Sequence, residues 1–102
     1  MKTYNKLVRD NIPEIIKNNG EQPITEVLNE TRYLEELHKK LFEEATEFVE
    51  EDSIEELADL MEVIYAIARL RNINLDEVEQ IRKQKAHKRG GFEKRIFLKS
   101  VK

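Results

Sequence analysis

Residues 43–59 read EEATEFVEEDSIEELAD, and the reading of this stretch decides the fold. Its centre, Asp52-Ser53, interrupts two helical patterns. Ser53 with Glu56 three residues later is a capping box, in which side chains satisfy the free N–H groups at a helix start. Upstream, Leu34, Leu37, Leu41, Ala45 and Phe48 recur at three- and four-residue steps, which predicts a helix over 31–50. Downstream, residues 54–71 are apolar on more than half of a helical circumference, which predicts a central helix. The break is short, so an antiparallel arrangement of the two helices would need only a tight turn.

Outside this pair the signals are punctuation marks. Asp10-Asn11-Ile12-Pro13 reads as a helix start, with a capping side chain and proline in the first turn. Ile12, Ile15 and Ile16 give a short apolar stripe, and Asn18-Asn19-Gly20 reads as its stop. Asn74, with Glu77 in the box position, opens a third long helix whose inner face is Leu75, Val78 and Ile81, and Gly90-Gly91 ends it. Two apolar runs remain, 24–28 and 96–98 with Val101. They are expected to pair as a minor two-stranded accessory sheet. The predicted fold is therefore all-α: a bundle of three long helices plus a short N-terminal helix, in one domain over 1–102.

Composition bounds the function. The chain has 102 residues, 39% of them hydrophobic and 38% charged, which suits helices with well-solvated outer faces. A single domain of this size buries only a modest core, so a homo-oligomer would bury more. The net charge of −3 gives no global pull toward nucleic acid or an anionic membrane. Cysteine is absent, which removes disulfides and thiolate metal sites and makes the cytoplasm the simplest location. The N-terminal MKTYNKLVRDNIPEII has no apolar h-region, and no apolar run reaches the roughly 20 residues that span a bilayer.

The acids repay placement on a helical wheel at about 100° per residue. On the first long helix the apolar arc runs through Tyr33, Leu37, Phe48, Leu41 and Leu34. Glu44 falls inside it and Glu47 at its edge, while Glu43 and Glu50 face away. On the second, Glu56 falls inside the arc between Val63 and Leu60, and Asp59 at its edge, while Glu55 and Glu62 face away. Each helix thus carries one inward acid and a second at i+3, and such residues are neighbours on one side. Antiparallel packing would bring Glu44, Glu47, Glu56 and Asp59 together. Four crowded carboxylates need protons or a cation, and their hard oxygens suit Mg²⁺ or Mn²⁺. The plain alternative for Glu56 is a capping residue near the positive end of a helix dipole.

On the third helix Lys85, Arg82, Arg89 and Lys88 continue the apolar face. Such cations suit a polyphosphate held by both metal and side chains, or simply complement the helix C-terminus. Before the first helix, Lys6, Arg9 and Asp10 form either a surface flap or a substrate clamp.

Glu43-Glu44-x-x-Glu47 followed by Glu56-x-x-Asp59 resembles the E-E-x-x-E…E-x-x-D signature of the MazG-like all-α nucleoside triphosphate pyrophosphohydrolases. YNKLVRDNIPEII at the start and KRGGF near the end resemble a small subgroup usually described as phosphoribosyl-ATP pyrophosphohydrolase-like or house-cleaning enzymes, so the resemblance covers nearly the whole chain. It implies Glu44, Glu47, Glu56 and Asp59 as metal ligands, Mg²⁺ as cofactor, and a homodimer or homotetramer. The gap between Glu47 and Glu56 is shorter than the family's usual gap, which calls for a tight turn. The implied reaction is hydrolysis of a nucleotide between its α- and β-phosphates. Glu47 is then the expected general base, and Lys85, Arg89, Lys6 and Arg9 the expected phosphate-binding residues. Two alternatives stand beside this expectation: phosphoribosyl-ATP pyrophosphohydrolase of histidine biosynthesis, and a non-catalytic helical interaction module. A di-iron bundle would need Glu-x-x-His on two helices, and only Glu35-x-x-His38 occurs.

Overall fold

The computed structural model describes residues 2–102 and contains four helices: α1 (Ile12–Asn18), α2 (Glu30–Glu51), α3 (Ile54–Leu70) and α4 (Leu75–Arg89). The all-α class is as expected, and both helices of the central pair end within one residue of the expected bounds.

Local chemistry sets those bounds. The Asn29 side chain accepts the Arg32 N–H at 2.9 Å and starts α2. Asp52 ends α2 in the left-handed region (φ 51°, ψ 44°), with its N–H donating to the Phe48 carbonyl at 2.8 Å. Short polar residues tolerate that conformation better than β-branched ones. Ser53 then caps α3, its hydroxyl oxygen accepting the Glu56 N–H at 3.2 Å. Two residues thus reverse the chain. At the far end of α3, Asn72 takes φ 54° and the Ile73 N–H reaches the Ala68 carbonyl at 2.9 Å, a Schellman closure. Gly20 closes α1 in the same way.

The extensive helix–helix contact among the described residues is α2 on α3. Leu37, Val63 and Ala68 form its buried apolar centre. Three sequence expectations fail here. First, α4 adds no buried residue, so the three long helices do not close into a bundle within one chain; Leu75, Val78 and Ile81 stay exposed. α3 is accordingly not central, since Leu57, Met61, Ile64 and Tyr65 remain open. Second, there is no accessory sheet among the described residues: 24–28 and 96–98 are irregular, and Val27 is fully exposed. A strand needs a partner for its N–H and C=O groups, and neither run finds one. Third, two caps differ. Asn11 makes no side-chain cap, and Asn74 accepts from Asp76 rather than from Glu77.

The result is an elongated molecule of 62 × 31 × 24 Å with a radius of gyration of 18.4 Å; a compact chain of this length would have about 13 Å. Its accessible surface is 9862 Å², against about 6,000 Å² expected for a compact monomer of this mass. Among the described residues, no helix is long and apolar enough to cross a membrane.

Candidate metal centre

The α2–α3 hairpin carries a carboxylate cluster near its turn. Glu44 comes from the apolar arc of α2, Glu56 from the first turn of α3, and Asp59 from one turn further on. One carboxylate oxygen from each lies within 4.8 Å of the others. Glu44 is a buried acid, 8% exposed, and Glu56 and Asp59 are half-buried. The Ser53 cap fixes where α3 begins, so it also fixes the side of the helix on which Glu56 and Asp59 fall.

Two oxygens in this cluster, Glu44 Oε2 and Glu56 Oε2, are buried without a hydrogen-bond partner. Buried carboxylate oxygens are normally satisfied, and an orphan costs free energy. Burial pushes the Glu44 carboxyl up from its ordinary pKa, and the neighbouring Glu47 charge adds to this; Lys40 acts in the opposite direction. The arrangement is therefore short of positive charge at its centre. Its donors are all oxygens, which matches Mg²⁺ or Mn²⁺ and not the thiolate-seeking metals.

Glu47 is close enough to perturb Glu44, yet it lies outside the converging group. It is half-buried at the edge of the α2 arc, so the wheel's set of four closes as a set of three plus a neighbour. Glu43 is half-buried as well, with its Oε1 3.5 Å from Lys40 Nζ. Of the expected phosphate-binding residues, the hairpin gathers one. The Arg9 guanidinium donates to Asp59 Oδ1 at 2.7 Å, across 50 residues of sequence. Lys6, Lys85 and Arg89 are exposed and make no ion pair among the described residues. Arg82 is held by Glu79 through contacts of 2.6–3.1 Å, which fits an ordinary surface pair and lowers the Glu79 pKa.

Sequence reasoning missed Lys40. Its Nζ lies 3.5 Å from Glu44 Oε1 as well as from Glu43 Oε1. The i,i+4 spacing to Glu44 was the available signal. Comparison of the chain with family models, with curated proteins and with solved structures finds no match in any of the three.

Proposed function

We propose that this protein is a divalent-cation-dependent nucleotide pyrophosphohydrolase, cleaving a nucleoside triphosphate or related nucleotide between its α- and β-phosphates. The observation that carries the reading is the convergence of Glu44, Glu56 and Asp59 with two orphaned, buried oxygens. Those three carboxylates hold the cation, with Glu47 beside them. When bound, Mg²⁺ supplies charge neutralisation for the departing pyrophosphate.

The chain's own residues do the rest. Glu47 is next to the cluster but outside the converging group, and in this reading its carboxylate takes a proton from the attacking water. Arg9 is already at the cluster's edge and can hold a phosphate oxygen through its planar fork. Lys40 adds a second cation there. Lys6, Lys85 and Arg89 complete phosphate binding only if the segments that carry them draw closer to the cluster. The products are a nucleoside monophosphate and pyrophosphate. The resemblance of the acidic spacing to the MazG-like signature supports the same reading, with phosphoribosyl-ATP as the narrower substrate alternative.

The working form in this proposal is a homodimer or homotetramer. The open faces of α3 and α4, and a surface well above that of a compact monomer, favour it. The same exposed faces also favour a second reading, a helical interaction module without catalysis.

Pyrophosphate release from a panel of nucleoside triphosphates and phosphoribosyl-ATP, with and without Mg²⁺, separates the two. Mg²⁺-dependent release that is lost in Glu44→Gln and Asp59→Asn is expected. No release from any nucleotide by a folded sample would favour the interaction module.

A further inference from the structure

Arg9 makes the longest-range ion pair in sequence among the described residues, and it lands on a carboxylate of the candidate metal centre. The other ion pairs join residues three to seven positions apart. Arg9 lies just before α1, in a stretch without helix or strand. Its guanidinium is the polar side-chain contact that ties this stretch to α3 among the described residues.

Charge counting gives that contact a meaning. Glu44, Glu56 and Asp59 bring three negative charges within 4.8 Å of one another. Two cations stand at the rim: Lys40, 3.5 Å from Glu44, and Arg9, 2.7 Å from Asp59. Neither reaches the inner oxygens, because Glu44 Oε2 and Glu56 Oε2 remain buried without a partner, and Glu44 itself is more than nine-tenths buried. The two rim cations, one of them shared with Glu43, thus offset only part of the cluster's charge, and they do so from outside. A divalent cation brings the same two positive charges to the centre. With it in place, a guanidinium at 2.7 Å from Asp59 would face a like charge across one carboxylate.

We propose that Arg9 is a displaceable counter-ion of the carboxylate cluster, so that cation capture by Glu44, Glu56 and Asp59 releases Arg9 and the N-terminal stretch from α3. The released guanidinium is then available to an incoming phosphate. This order ties phosphate binding to a loaded cluster without any further moving part. The inference rests on the metal-centre reading. It adds a coupling of stated sign: Arg9 and the cation compete.

Both partners of the pair are partly exposed, so the coupling is screened and belongs at the low end of the usual range, about fivefold. Calorimetric titration of Mn²⁺ into the full chain, compared with Arg9→Gln and Arg9→Lys, measures it. Arg32→Gln, which removes an exposed pair with Glu26 away from the cluster, is the control. Arg9→Gln should bind Mn²⁺ about fivefold more tightly, Arg9→Lys should stay near wild type, and Arg32→Gln should not change. Equal or weaker Mn²⁺ affinity in Arg9→Gln overturns the competition and leaves the metal centre standing. Absence of Mn²⁺ binding by every variant overturns the metal centre itself and this inference with it.

Discussion

At Glu44, burial and the Glu47 charge both raise the carboxyl's pKa above its ordinary value. The sign of the resulting pH dependence follows from linkage. The folded chain holds the Glu44 proton more tightly than the unfolded chain, so stability of the metal-free protein falls as pH rises from about 4.3, the unperturbed glutamate value, through the raised folded value. Thermal denaturation against pH checks this: the fall should be present without metal and should flatten in Glu44→Gln. In that variant the neutral amide also removes a buried charge, so the metal-free protein should melt a few degrees higher at pH 7. It should lose both its response to Mg²⁺ and its pyrophosphate release. The inward aim of Glu44 was legible in the sequence, because helical periodicity alone puts residue 44 between Tyr33 and Leu37. The Arg9–Asp59 contact was not, because a pair 50 residues apart leaves no local pattern. Glu47 shows the limit of the wheel. An angle near an arc's edge does not say whether a side chain reaches across to the next helix.

The α2–α3 hairpin was legible as an element because each boundary carries its own chemistry. Ser53 is both the helix cap and the residue that fixes the register of Glu56 and Asp59. Ser53→Ala should cost about 1 kcal/mol of stability, read by denaturant unfolding, and should weaken Mg²⁺ stabilisation beyond that loss. Leu37 is buried at the helix contact, and Leu37→Ala should cost about 3 kcal/mol. The expected sheet shows where such reasoning stops. Runs 24–28 and 96–98 are apolar enough for strands, but a strand's hydrogen bonds belong to a partner that its own residues do not name. The inner face of α4 is similar. Leu75, Val78 and Ile81 lie at helical spacing as expected, yet periodicity does not say what covers them.

As a whole, one chain leaves a great deal of apolar surface open. Phe92, Ile96, Phe97, Leu98 and Val101 in the tail are exposed, as are the outer faces of α3 and α4. The surface exceeds that of a compact monomer, and an obligate interface would cover part of the excess. The chain should therefore sediment as a dimer or tetramer at micromolar concentration, and Ile81→Glu with Phe97→Asp should shift it toward monomer and lower its melting temperature. Sedimentation at a single monomer mass in the wild type would contradict the homo-oligomer. Nothing in the composition fixed this scale in advance. A content of 39% hydrophobic residues is compatible with a self-sufficient bundle as well as with an elongated hairpin that needs a partner.

A melting curve tests most directly whether the hairpin's carboxylates form one divalent-cation site. The wild-type chain and Glu56→Gln would be heated at pH 7 over a series of Mg²⁺ concentrations, with Ca²⁺-free buffer and matched ionic strength. Binding to the folded state alone stabilises by about 2.7 kcal/mol at a hundred times the dissociation constant. The wild type should therefore show a saturable rise in melting temperature that Glu56→Gln lacks. Equal responses in the two proteins, or none in either, would contradict the site.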